Sequence, residues 1–462
     1  MLYDFLRFPL AVFCLLFVFT ITGAGATLTV TVLADSDDAL CNSSCSLREA
    51  INSASPGDTI LFAREIRGGI IHLGGTININ KRLTIDGPNK RRITLQGDGT
   101  FRILEIHTVV SIDGLLIRDG NAVDGDGGAI LASGTLNLTN VGLFGNSALH
   151  GGAIYMSGGS LFVSDSLIAD NTSSASGGAG GIESVSPNSL RITNTTISGN
   201  KSLSEIDGVG GLKVTNPTDW RMVASTVAFN SANGSNPAST AGGIGALKGN
   251  AGPAWNSIIA KNTGINPDFC GIGGGANSII GVADNRGIFV DGNAGNIVGT
   301  IEVPVDPLIA ALSDNGGGLA THSLIAGSRA IDSGNNDLSL DRTGHALTID
   351  QRGYKRVAGS AVDRGSFESG SAPVAELSTI EGRVISASGR GAYPGLVVLR
   401  DPTGQIRYSP TNPFGYYRFP DVPSNVTYLI ECIDRRNRHR PVEILVEEPL
   451  EYLNFDVVKA EN

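Results

Sequence analysis

The sequence predicts an all-β protein: a right-handed parallel β-helix (a solenoid) with an N-terminal helical cap, followed by a small antiparallel β-sandwich. Three observations carry this. Glycine pairs beginning at Gly127, Gly151, Gly180, Gly210 and Gly242 each stand 19 or 20 residues before an asparagine, namely Asn146, Asn171, Asn200, Asn230 and Asn262. Among 62 glycines such pairs alone mean little, so the constant offset carries the inference. Apolar residues recur at fixed distances from each asparagine: Leu136, Leu161, Leu190 and Trp220 ten before it, Leu138, Val163, Ile192 and Met222 eight before, and Leu143, Ile168, Ile197, Val227 and Ile259 three before. Positions ten and eight differ by the strand period, so both sets point to one inner face, while Asn137, Phe162, Arg191 and Arg221 between them point outward. Finally, 17% charged and 6% aromatic residues fit a turn-rich β-protein better than a helical one.

Residues 1–26 read as a secretory signal peptide: Arg7, an apolar stretch from Phe8 to Phe19, then Ala24, Gly25 and Ala26 as small cleavage-site residues. Residues 27–65 follow as the N-terminal cap. Ser46 and Glu49 make a capping-box pattern, Leu47, Ala50, Ile51 and Ala54 follow at helical spacing, and Pro56 and Gly57 end the element. A short helix is predicted here, its apolar side laid over the first turn of the coil. Cys45 to Ala50 reads CSLREA, which resembles the signature of a bacterial secreted N-terminal domain that precedes parallel β-helix repeats.

The coil itself spans residues 66–304. Short runs at Ile77–Ile79, Leu83–Ile85, Ile93–Leu95 and Val109–Ile112 precede the regular repeats, separated by turn signals such as Asp86, Gly87, Pro88. Because each repeat pairs with the next in the same direction, the strands build parallel sheets in which a turn touches only its neighbours. About nine turns at about 4.8 Å give a rod of about 40 Å. The asparagines are expected at bends, their amides bonded to the next asparagine and to local backbone. The interval between glycine pairs grows from 24 to 32 residues, and the slack falls in the bend before each pair.

Residues 305–370 contain VDPLIAALSDNGG, THSLIAGSRAIDSG, DQRG and DRGSFE in that order. This is similar to the choice-of-anchor Q domain of bacterial surface β-helix proteins, with Gly318 and Arg329 where that family more often has proline; the resemblance implies a C-terminal cap. Within it Asp350, Arg352, Asp363, Arg364 and Glu368 read as a salt-bridged end cap rather than a catalytic cluster, and His322 as a packed cap residue. A linker at 371–378 leads to residues 379–462, where seven short strands are expected, from Ile380–Ile385 to Tyr452–Val458. The order EGRV, a loop with Gly395, GYYRFPDVP and TYLIEC resembles carboxypeptidase regulatory-like domains of transthyretin-like topology, which implies an accessory module.

Functional signals are sparse. A net charge of −10 without a concentrated basic face disfavours nucleic acid as a partner. Beyond residue 26 no apolar run approaches the roughly 20 residues needed to cross a bilayer, so the mature chain is expected to be secreted or held at the cell surface without a membrane helix. Cys41 and Cys45 enclose a turn-forming Asn42, Ser43, Ser44 and are expected to form a disulfide; a zinc site is the competing reading but lacks a second close Cys or His pair. Cys270 and Cys432 are expected to be separate buried thiols. Asp124 and Asp126 are weak candidates to cradle Ca²⁺, against the reading of a plain turn. Trp255 falls on an outward position, where it can stack on a sugar or be covered by the segment 266–299 as the coil ends. The basic run from Asp434 to Arg440 reads as a solvated hairpin with acidic glycans as an alternative contact. No position carries carboxylates on neighbouring regular rungs as a lyase or hydrolase site requires. The resulting expectation is an exported, non-catalytic β-helix protein of adhesion, glycan binding or envelope structure, with polysaccharide or envelope components as partners; the alternative is a polysaccharide lyase or glycoside hydrolase.

Overall fold

The structure, a computed structural model, describes residues 25–248, 252–283, 289–372, 377–386, 389–424, 426–434, 441–446 and 453–455. The signal-peptide segment and most of the basic run after Asp434 lie outside these residues. Two compact units divide the chain, Met1–Ser371 and Ala372–Asn462.

The first unit is the parallel β-helix that the repeat predicts. Its walls are two ten-stranded sheets and one eight-stranded sheet, called here sheets I, II and III, and a five-stranded ribbon of two-residue strands. A regular rung runs from sheet III (Ile130–Ala132) through sheet I (Thr135–Thr139) and sheet II (Gly142–Phe144) to the ribbon (Ser147–Ala148). Each strand pairs in parallel with its counterpart one rung on, as Thr135–Thr139 does with Ser160–Ser164. Leu136, Leu161 and Leu190 meet in register, as do Leu138, Val163 and Ile192, and all six are at most 2% exposed. One continuous apolar core therefore runs the length of the coil.

The glycine–asparagine offset has a steric cause. Asn171, Asn200 and Asn230 stack rung on rung, each amide Nδ2 donating to the next Oδ1 at 2.8–2.9 Å. The second glycine of a pair lies against that ladder: a Cβ on Gly211 would stand 3.2 Å from the Asn230 amide. The first packs backbone on backbone, a Cβ on Gly210 meeting Gly242 O at 2.2 Å. Side chains are excluded at both positions, so the pair and the asparagine keep their separation while the bend between them varies.

At the N-terminal end the helix Leu47–Ser53 has the full capping box, Ser46 Oγ accepting from Glu49 N and Glu49 Oε2 accepting from Ser46 N. Leu47, Ala50 and Ile51 join the coil's core beside Val30 and Ile60.

Two expectations are corrected. The segment 266–299 does not fold over Trp255; Phe269–Gly271, Gly274–Ala276, Ile279–Ile280 and Ile297–Val298 add further rungs. Residues 305–371 do not sit as a lid on the end of the coil. They run along the outside of sheet II as a strap, from Asp306 beside Lys261 to Gly317 beside Arg92 and back to Asn335 beside Asn256. The reason lies in the outer positions of sheet II, which are small or apolar: Leu167 and Ala169 pack against Leu319, and Ala228, Ile258 and Ala260 against Ile309 and Ala330. Such a surface is stable only when covered.

The second unit comprises two antiparallel sheets around one core. Leu377–Arg383 pairs with Tyr416–Pro423, and Gly395–Arg400 lies between Ile406–Pro410 and Val426–Asp434, which in turn pairs with Val442–Val446. Of the seventh expected strand only residues 453–455 are described, with Phe455 bridging to Val384 in parallel.

Candidate functional site

Outward side chains on sheet I, and the strap crossing beside it, build a cleft on the coil. Asn137, Phe162, Arg191 and Arg221 are in register on four successive rungs. Two positions on, Thr139, Ser164, Thr193, Val223 and Trp255 form a parallel row. The strap contributes Arg342, whose Nη1 donates to Asn137 Oδ1 at 2.6 Å and whose guanidinium lies 4.9 Å from the Phe162 ring centroid. The cleft encloses about 240 Å³ between Phe162, Asp165, Arg191, Asp341 and Arg342.

Its aromatic rings serve as arginine platforms. Trp255 takes the outward position the sequence assigns, and the Arg221 guanidinium lies 4.4 Å from its ring centroid. Arg221 makes no ion pair among the described residues, and its buried Nε has no hydrogen-bond partner among them. Burial first, and then the Arg191 charge on the neighbouring rung, pull its guanidinium below the usual arginine range. Arg191 pairs with Asp219. Guanidiniums thus stand at three consecutive rungs, spanning about 10 Å at the spacing of parallel strands.

The carboxylates here are mostly engaged. Asp341 Oδ1 accepts from Thr343 N, Thr343 Oγ1 and His345 N at 2.7–2.9 Å, and despite its burial these bonds hold its carboxyl below the ordinary value. Asp165 sits at the left-handed corner after sheet I (φ 52°) and accepts from Asn194 Nδ2; burial pushes it up to about 6.

The other candidates are dispersed. Cys41 and Cys45 are joined by a disulfide beside the N-terminal helix, far in sequence from the cleft residues. Cys270 is a buried thiol, whereas Cys432 is half-buried. Asp124 is exposed on the turn before Gly127, and the Asp126 carbonyl accepts from Arg102 Nε and Nη2 at 3.1 and 2.8 Å. Among the described residues no three His, Cys, Asp or Glu side chains converge to hold a metal ion there or elsewhere. No described helix is long and apolar enough to cross a membrane.

One cluster escaped the sequence reading. Glu183 on sheet III is 3% exposed and accepts from Lys213 Nζ at 2.7 Å and Ala179 N at 3.1 Å, with His150 Nδ1 at 3.2 Å. Burial raises the carboxyl, but the His150 hydrogen bond and the Lys213 charge outweigh it and hold it below its ordinary value. The Glu183 bond in turn raises His150. The Lys213 ammonium also reaches the Gly177 carbonyl, so the three residues tie the bends at His150 and Gly177 to the sheet. The signal was available: Glu183 and Lys213 each stand three residues after the first glycine of their pair, Gly180 and Gly210, and so meet in register on neighbouring rungs.

In the comparisons, no family model matches the chain, and no curated protein does. Among solved structures, the crystal structure of pectate lyase Pel9A is similar at 14% identity and a TM-score of 0.34, over 74% of this chain and 97% of that one. So loose a likeness transfers no residue role.

Proposed function

We propose that this is an exported, non-catalytic β-helix protein of the cell surface or extracellular space that binds polysaccharide along sheet I, in adhesion or envelope structure. The observation that carries the reading is the row of three guanidiniums on consecutive rungs, two of them placed over aromatic rings. Held this way, an arginine presents its donor fork with little entropy left to lose, and the fork fits a carboxylate or sulfate. The expected ligand is therefore an acidic glycan. Export and surface placement are supported by the apolar segment at residues 8–19 and by the CSLREA and choice-of-anchor-like blocks. A hydrolase needs two carboxylates at a fixed separation. Of the carboxylates at the cleft, Asp219 is paired with Arg191, Asp341 is tied into its own turn and Asp165 is bonded to Asn194. That favours binding over cleavage.

Titration of the full chain with a uronate oligosaccharide and with its carboxyl-reduced counterpart tests this. Tighter binding of the acidic oligomer is expected, weakened by salt, with Arg221→Gln lowering affinity about tenfold, the order of one charge-assisted hydrogen bond. Release of shortened or unsaturated products would overturn the non-catalytic reading. Equal affinity for both oligomers would remove the role given to the arginines, and no binding of either would remove the glycan.

A further inference from the structure

The C-terminal unit carries a second, chemically different surface. Five aromatic side chains are strongly exposed among the described residues; apart from Phe229, they are Tyr393, Tyr408, Phe414 and Tyr416, all in this smaller unit. Exposed aromatics scattered singly need no explanation, but Tyr416 lines a cleft. The strands Leu377–Arg383 and Tyr416–Pro423, with the end of Ile406–Pro410, frame a cleft of about 460 Å³, within the range of small-ligand sites. Tyr416 stands at it with half of its surface exposed, beside Phe414 at the same turn.

The polar groups around the cleft are arranged to meet hydroxyls. Asn412 Oδ1 is occupied by Phe414 N and Tyr416 N, both at 3.0 Å, and Asn454 Oδ1 by Arg383 N at 3.0 Å. Each amide thus keeps its oxygen on the backbone and its Nδ2 donors free. Glu381 supplies an acceptor and Arg418 donors, and the two face each other at 3.5 Å across exposed surface, a pairing worth little that a ligand can replace. A tyrosine ring, two free amides, a carboxylate and a guanidinium match a sugar, whose C–H face packs on the ring while adjacent hydroxyls both donate and accept.

We propose that this cleft binds a neutral hexose unit of a glycan. As on sheet I, a guanidinium lies over the ring, but more loosely: Arg383 is 5.5 Å from the Tyr416 centroid against 4.4 and 4.9 Å there, and half of the tyrosine surface remains exposed to a ligand. Positive charge at the cleft is offset by Glu381. The site does not depend on the acidic-glycan reading of the coil, and the two fail separately.

The test uses the full chain and a panel of neutral oligosaccharides (β-glucan, mannan and galactan fragments) followed by calorimetry and saturation-transfer NMR. At least one neutral oligomer is expected to bind, with Tyr416→Ala weakening it tenfold or more. Tyr408→Ala, an exposed tyrosine outside the cleft, is expected to leave binding unchanged, and neither variant should move the melting temperature. Arg221→Gln should spare the neutral ligand, and Tyr416→Ala the acidic one. The proposal is overturned if no neutral oligomer binds at millimolar concentration, or if Tyr416→Ala binds as the parent does. It is equally overturned if the tyrosines instead drive self-association, seen as a concentration-dependent mass that Tyr416→Ala abolishes.

Discussion

Asp268 ends the asparagine ladder, and its chemistry differs from every residue before it. Its Oδ1 accepts from Asn262 N and Nδ2 at 2.9 and 2.8 Å, while its Oδ2 accepts from Val282 N at 2.7 Å. The last member must accept on both sides, and only a carboxylate offers two acceptor atoms. Burial pushes it up to about 6, which is the cost of that choice. Asp268→Asn turns one of these contacts into a meeting of two donors, so a net loss of about 1 kcal/mol is expected at pH 7, the relief of the buried charge included. Urea denaturation measures it; a variant as stable as the parent would show that the terminating residue need not be a carboxylate. In the sequence Asp268 is one aspartate among many, because its role depends on the ladder it faces. Arg342 was hidden for a similar reason: nothing local in residues 341–347 signals a partner on the Phe162 rung.

Within the repeated rung, the ladder was foreseeable and the corners only in part. Asn200 is fully buried and its side chain makes five hydrogen bonds: Nδ2 donates to Ile168 O, Ser198 O and, at 2.8 Å, Asn230 Oδ1, while Oδ1 accepts from Asn171 N and Nδ2. Asn200→Ala strips Asn171 of both acceptor contacts at once. A destabilisation on the order of 3 kcal/mol follows from the orphaned buried donors, read as a fall in melting temperature; a shift no larger than that of a surface substitution would mean water fills the gap. The corner after sheet I is left-handed in rung after rung, at Asn140, Asp165, Asn194, Ala224, Asn256 and Asn277. Asparagine and aspartate tolerate that conformation, so four rungs or more advertise it. Ala224 does not, and at the next corner Phe229 and Lys261 stand where Gly145 and Gly199 occur. Stacking imposes the backbone there, whatever the residue prefers.

Across the whole molecule the most strongly shifted carboxyls act in one direction. Burial raises Asp113 and Asp165 to about 6, as it does Asp268, and Glu368 to about 7. Between their ordinary and raised values the folded chain holds protons that the unfolded chain has released, so stability falls as pH rises through that window. His150, raised by Glu183, contributes fully below its ordinary 6.5 and loses that contribution as pH rises through its raised value. Glu183 is lowered instead, so its support persists above 4.5 and fails only in stronger acid. The melting temperature is expected to peak near pH 5 and to decline towards pH 8; a flat or rising profile over that interval contradicts these shifts. The coil was legible in the sequence because its contacts repeat at a near-constant interval. The strap was not, because His322 finds Ser198 and Gln351 finds Thr196 across more than a hundred residues with no periodicity.

The outbound leg of the strap, from Asp306 at Lys261 to Gly317 at Arg92, passes six rung spacings, roughly 29 Å at ~4.8 Å each. Its eleven peptide steps reach little further when extended, at about 3.3 Å each. One duplicated rung, at about 34 Å, would pull it almost straight against a reach of about 36 Å; a second would leave it short, and a deleted one would leave it slack. The strap is therefore a ruler: this coil can take up little more than one further repeat, unlike other solenoids, before the measure alongside it must lengthen as well.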